Sequence, residues 1–150
     1  MNAEPRAPTL VIVDDDDGHA ILVEDNLKEA GLGNPIVRFR DGQAALDYFF
    51  PKGPGMHAEP SGTYLLLLDI RLPKIDGFEV LRRLKADPHL HKIPVIMLTT
   101  TDDMREVARC HELGCNVYLQ KPVDYEKFAE AIRRLGLFVN LLLVPPLNAN

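Results

Sequence analysis

The sequence predicts an α/β domain built on a doubly wound parallel sheet, and three observations carry that prediction. Five short apolar runs alternate along the chain with five stretches of helical periodicity, the order that places helices on both faces of a parallel sheet. One run, Leu65-Leu66-Leu67-Leu68, is apolar at four consecutive positions, as expected of a central strand covered on both sides. Gly, Pro and Asp-Gly punctuate the junctions between runs.

The elements follow in order. Residues 1–8 form a short tail with two prolines and no pattern. Leu10-Val11-Ile12-Val13 reads as a first strand running directly into Asp14-Asp15-Asp16-Asp17. Ala20, Val23, Leu27 and Ala30 then recur at helical spacing until Gly31 and Gly33 stop the helix. Pro35 to Phe39 is a second, shorter strand, and Asp41-Gly42 turns into a helix with Ala45, Leu46 and Phe49 facing inward. Three prolines and three glycines between Pro51 and Thr63 predict an irregular loop. The leucine strand follows, ending at Asp69. Pro73 and Asp76-Gly77 force a loop before a helix with Val80, Leu81 and Leu84 inward, for which Asp76 and Glu79 have capping-box spacing. Pro94 to Leu98 is the fourth strand, closed by Thr99-Thr100-Thr101. Asp103 with Glu106 predicts the start of a helix reaching Leu113-Gly114. Val117 to Gln120 is the fifth strand, met at once by Lys121-Pro122. The last helix begins near Asp124 and uses Phe128, Ile132 and Leu135.

Composition narrows the function classes. A chain of 150 residues fits one domain with a real core, here residues 9–136, leaving an apolar extension over 137–150. The net charge of −5 argues against a nucleic-acid footprint, which needs a basic face. No leader and no membrane-length apolar run is evident, so the cytoplasm is the expected location, with no membrane partner. Cys110 and Cys115 lack zinc or redox spacing and read as reduced thiols.

The chemistry-bearing residues lie where strands end. Asp14 and Asp15 follow the first, Asp69 the third, Thr99 the fourth and Lys121 the fifth. In the flavodoxin-like strand order 2-1-3-4-5 the first and third strands are neighbours, which brings Asp14, Asp15 and Asp69 to one edge of the sheet. Three close carboxylates repel one another, and a hard divalent cation relieves the repulsion; Mg²⁺ suits such a site. Asp69 is then placed as a phosphate acceptor, since carboxylates form aspartyl phosphates. Lys121 and Thr99 supply the positive charge and hydroxyl that phosphoryl oxygens need. Asp16 and Asp17 read instead as a helix start favoured by the macrodipole. Thr100 and Thr101 read as turn or cap residues. His89 and His91 read as exposed loop residues, and His19, His57 and His111 are single histidines with no visible partner.

The stretches VIVDDDD, LLLLDIRLPKIDGFEVL, PVIMLTTT and YLQKPVD resemble the receiver domain of two-component response regulators, in order and at the usual distances. The resemblance spans roughly residues 9–136. It implies a Mg²⁺ site at Asp14, Asp15 and Asp69 completed by the backbone carbonyl of Arg71, with Mn²⁺ or Ca²⁺ as substitutes. It implies phosphorylation of Asp69, a hydroxyl switch at Thr99, a phosphate-pairing lysine at Lys121, an aromatic switch at Tyr118 and a cis bond before Pro122. Thr100 stands where many members carry a smaller residue. A phosphoacceptor switch of this kind assists its own phosphorylation and dephosphorylation without being a metabolic enzyme, and its implied partner is a sensor histidine kinase.

A narrower likeness points to the regulators that serve bacterial phytochromes. Its signs are the Lys92-Ile93-Pro94 approach, the LTTT strand end, the long loop before the third strand and the RDGQAALDYF helix. It implies a single-domain protein that forms a homodimer through the fourth helix, fifth strand and fifth helix, or through C-terminal arms. The apolar stretch with Phe138, Leu141, Leu142, Leu143 and Val144 fits an arm of that kind; it either folds back on its own domain or packs on a partner, and the complete core favours the partner. Two other classes fit less well. A haloacid-dehalogenase-type phosphatase needs an acid two residues after the nucleophile, where this chain has Arg71. A flavodoxin needs a Ser/Thr/Gly-rich phosphate loop where this chain has four aspartates. A pseudo-receiver, a constitutive scaffold without phosphorylation, is the remaining alternative.

Overall fold

The computed structural model describes residues 7–100, 102–121 and 124–149. Its strands are β1 (Thr9–Val13), β2 (Ile36–Phe39), β3 (Tyr64–Leu68), β4 (Val95–Thr99) and β5 (Val117–Gln120). They form one parallel sheet in the order β2-β1-β3-β4-β5, as the sequence predicted. Between and after them run α1 (Asp17–Glu29), α2 (Gly42–Phe49), α3 (Gly77–Ala86), α4 (Met104–Glu112) and α5 (Tyr125–Val139), with a short 3-10 turn at Leu90–Lys92.

The alternation of side chains across a strand divides the core in two. Val11, Val13, Leu66, Leu68, Val95 and Met97 face α2 and α3, together with Cys110 of α4. Leu10, Ile12, Leu65, Leu67, Ile96 and Leu98 face α1 and α5. The leucine run is therefore buried at every position, because each face of the sheet has its own helical cover.

Each of the five α-helices starts at an aspartate whose carboxylate accepts a first-turn backbone N–H: Asp16, Asp41, Asp76, Asp103 and Asp124. The expected capping box at Asp76 is only half formed. Asp76 accepts from the Glu79 N–H at 3.0 Å, but the Glu79 carboxylate turns away to Arg82 and Arg83. Asp103 likewise caps through the Arg105 N–H, while Glu106 pairs with Arg71 across the domain. In both cases a guanidinium is a stronger partner for the glutamate than one more backbone N–H. At the end of α1, Gly31 takes φ +88°, and the Leu32 N–H reaches back to the Leu27 carbonyl, a left-handed helix stop that glycine accommodates.

The apolar C-terminal stretch divides rather than acting as one arm. Phe138 and Val139 belong to α5, and Leu142 packs against the second core cluster. Leu141 and Leu143 stay exposed, at 83% and 80%, and Val144 is half-buried. Beyond them the tail returns to its own domain. Leu147 is buried in the first core cluster, its N–H bonds to the Gly62 carbonyl at 3.0 Å, and Asn148 N–H bonds to the Pro60 carbonyl at 2.9 Å. The Lys92 ammonium donates to the carbonyls of Leu147 and Ala149. The 51–63 loop is thus the seat of the tail.

Candidate functional site

Backbone register assembles the site. Val13 pairs with Leu68, so the residues that follow them, Asp14 and Asp69, leave the sheet side by side. The strands still hold their first departing residues: Asp14 N–H donates to the Phe39 carbonyl and Asp69 N–H to the Val13 carbonyl. Thr99 ends β4, and its carbonyl accepts from Lys121 N–H at 2.7 Å, which fixes Lys121 at the same edge. Carboxylate oxygens of Asp14, Asp15 and Asp69 lie within 4.8 Å of one another, with Asp14 buried, Asp69 partly buried and Asp15 exposed.

The Lys121 ammonium, almost wholly buried, sits among them. It donates to Asp14 Oδ2 at 2.5 Å and to Asp69 Oδ2 at 3.2 Å. Its third contact, 3.1 Å away, is Nδ1 of His19. Burial pushes the Asp14 carboxyl above its usual range, and the Lys121 ammonium opposes that rise. The other oxygen of each acid is held by backbone: Asp16 N–H donates to Asp14 Oδ1 and Ile70 N–H to Asp69 Oδ1. Arg38, from the end of β2, makes a two-pronged contact with the Asp14 carbonyl and reaches the Asp17 carboxylate, tying the turn after β1 in place.

Thr99 is fully buried, and its hydroxyl has no hydrogen-bond partner among the described residues. A buried hydroxyl without a partner is costly, and this one belongs to the strand-end residue whose carbonyl holds Lys121 N–H. Tyr118 is half-buried on β5 against the first core cluster. Burial, with the charges of Cys110, Glu106 and Asp69 adding to it, pushes its phenol up to about 12. Arg71 lies two residues beyond Asp69, and its guanidinium crosses to Glu106 on α4. The loop that carries it is pressed against glycine: a Cβ at Gly77 would overlap the Asp69 carbonyl oxygen and stand 2.8 Å from Ile70 Cα.

Asp14, Asp15, Asp69, Thr99 and Lys121 therefore meet at one edge, as the strand-end positions implied. Pro122 and the bond preceding it, as well as Thr101, lie outside the described residues. Asp16 and Asp17 open α1, and Cys110 and Cys115 are buried free thiols. Two site residues escaped sequence reasoning. In the sequence His19 is a single histidine with no visible partner, and Arg38 carries no motif. The one available signal for His19 was its place three residues after the Asp16 cap, in the first turn of the helix that leaves the acid run.

Residues 10–133 match the family model described as the response regulator receiver domain. A response regulator receiver domain from Rhodospirillum rubrum is 47% identical, with a TM-score of 0.87 covering 92% of this chain and 97% of that one. Response regulator Rcp1 from Synechocystis is 35% identical over 139 residues, covering 92% of this chain and 93% of Rcp1. The solved Mn²⁺-bound form of Rcp1 superposes with a TM-score of 0.84 at 30% identity, covering 92% of this chain and 99% of that one. The phosphorylated cyanobacterial phytochrome response regulator RcpA gives a TM-score of 0.85 at 28% identity, covering 93% and 99%.

Proposed function

This chain belongs to the response regulator receiver domain family, close to phytochrome response regulators, and from that premise we propose that Asp69 accepts a phosphoryl group from the phosphohistidine of a sensor histidine kinase. The observation that carries the reading is the meeting of three carboxylates with the buried Lys121 ammonium, at a sheet edge where the buried Thr99 hydroxyl has no partner among the described residues. In the transfer an Asp69 carboxylate oxygen bonds to phosphorus as the P–N bond breaks and the imidazole leaves. The Ile70 N–H holds one carboxylate oxygen and so sets the angle of the nucleophile. Lys121 donates to one phosphoryl oxygen and Thr99 to another, which gives its buried hydroxyl an acceptor.

The donor set fits a hard divalent cation, all oxygen and anionic: Asp14, Asp15 and Asp69, with the Arg71 carbonyl, would hold Mg²⁺, or Mn²⁺ or Ca²⁺ in its place, which when bound supplies positive charge to the phosphoryl oxygens. Attack of water on phosphorus breaks the bond to the Asp69 oxygen, releases inorganic phosphate and restores the carboxylate, with the same residues around the phosphoryl oxygens in both halves of the switch.

A new dianion on Asp69 draws Thr99 and Lys121 toward it and frees space for Tyr118 to move. The surface formed by α4, β5 and α5 changes as a result, and the readout is protein–protein contact rather than nucleic-acid binding. The partner is a phytochrome-type kinase, by likeness to RcpA, and a second copy docks on that surface or on the apolar residues near Leu141 and Leu143. The protein works in the cytoplasm; among the described residues no helix is long and apolar enough to cross a membrane.

Intact mass after incubation with Mg²⁺ and a small phosphodonor tests the reading. A single base-labile adduct, absent in Asp69→Asn and in metal-free samples, is the expected result, and sizing of the adduct then reads the oligomer. No adduct, even with a competent histidine kinase as donor, would leave a constitutive interaction module.

A further inference from the structure

We propose that His19 is a positioning residue for Lys121, accepting the third hydrogen bond of its ammonium and so fixing where that charge stands at the phosphoryl site. The inference rests on the phosphoacceptor reading of Asp69 for its consequence, but not for its chemistry.

An ammonium has three N–H donors and no acceptor. Lys121 uses one toward Asp14 Oδ2 at 2.5 Å and one toward Asp69 Oδ2 at 3.2 Å. The remaining contact is His19 Nδ1 at 3.1 Å. Because Lys121 can only donate, a hydrogen bond between them requires Nδ1 to be the bare nitrogen of a neutral ring whose proton sits on Nε2. The imidazole is held for this task from two sides. Its ring meets Phe128 of α5 edge-on, centroids 5.7 Å apart, and its backbone N–H is anchored on Asp16 Oδ1 at 3.0 Å. The Asp16 carboxylate also lies 3.5 Å from Nδ1, too far to replace Lys121 as its partner.

The third acceptor has a physical consequence. With two carboxylates alone, the ammonium would settle between Asp14 and Asp69 and leave one N–H unpartnered in a buried site. It would also sit more firmly on the nucleophile's own oxygen. A neutral acceptor on the α1 side holds part of the ammonium's hydrogen-bonding capacity away from Asp69.

Two measurements decide the matter. Nitrogen-15 NMR of the wild-type protein at about pH 8, where an ordinary histidine is neutral, should show His19 with a bare, hydrogen-bonded Nδ1 and a protonated Nε2. The Nδ1 signal should move in Lys121→Met. A proton on Nδ1, or a signal indifferent to Lys121→Met, overturns the proposal. Adduct formation on Asp69 is then followed against phosphodonor concentration. His19→Leu should lower the saturating rate about tenfold, the scale of one lost hydrogen bond to a charged group, and leave the half-saturating concentration unchanged. His19→Asn, whose amide oxygen can stand near the Nδ1 position, should restore most of the rate. Equal rates in His19→Leu and His19→Asn overturn the positioning role. A wild type that forms no adduct overturns the Asp69 reading instead, while the NMR still decides the His19–Lys121 bond.

Discussion

Lys121 is the residue on which the site's electrostatics turn. It is the buried cation that offsets both Asp14 and Asp69. Replacing it by Met leaves two neighbouring carboxylates uncompensated and is expected to lower stability by about 3 kcal/mol in the presence of EDTA. Mg²⁺ should return part of that loss if the same carboxylates hold it as proposed, and paired denaturant melts with and without the ion measure the difference. A second residue-scale effect belongs to the alkaline edge. Burial raises the Cys110 thiol from 9.0 to about 12 and the Tyr118 phenol from 10.0 to about 12. Between those values the folded chain keeps protons that the unfolded chain has released, so the contribution of these two groups to stability is complete below pH 9 and falls as pH rises toward 12. Melts across that range should show the decline, and Cys110→Ala or Tyr118→Phe should each flatten it.

At the scale of elements, the loop from β3 to α3 sets the geometry of Asp69, and glycine makes its path possible. Gly77 N–H donates to the Ile70 carbonyl at 2.8 Å, and the backbone at Asp69 and Ile70 fills the space a side chain would occupy. Gly42, at the start of α2, is pressed in the same way against the Ile75 carbonyl. Lys74 between them adopts φ +67°, so the loop already holds one residue in the left-handed region. Gly77→Ala is expected to cost about 2 kcal/mol through overpacking. It should also slow adduct formation by displacing the Asp69 peptide, which urea melts and intact-mass rates would show together. A variant with normal stability and a normal rate would mean that the loop tolerates the displacement.

Across the whole molecule, the two ends of the sheet do different work. The acid cluster occupies the carboxyl edge, whereas the tail lies against the 51–63 loop at the amino edge, roughly 17 Å away for a strand of five residues. Leu147→Ala removes a side chain buried to all but 7% and is expected to cost about 2 kcal/mol, the low end for Leu→Ala because a tail can resettle. Limited proteolysis should find residues 51–63 more readily cut in that variant. The rate of Asp69 phosphorylation should stay as in the parent, since no hydrogen bond of the tail reaches the carboxyl edge among the described residues.

Local pattern carried much of this molecule. Four consecutive leucines specified a strand with two covered faces, and the apolar spacing of Val23, Leu27, Phe128 and Ile132 marked the helices that cover one of them. A parallel α/β alternation then leaves few strand orders, and each places Asp14, Asp69, Thr99 and Lys121 at strand ends, so the site's membership was legible from its positions. The tertiary structure decided what those side chains touch. His19 and Lys121 are 102 residues apart and meet only where the first turn of α1 and the residue after β5 converge at the carboxyl edge of the sheet. Arg71 takes Glu106 from its expected cap, and Leu147 closes the first core under a loop that periodicity left blank. The physical reason is that repeating burial is written into a chain at spacings of two and 3.6 residues, whereas the partner of a long polar side chain is set by how separate elements converge, and that information has no period.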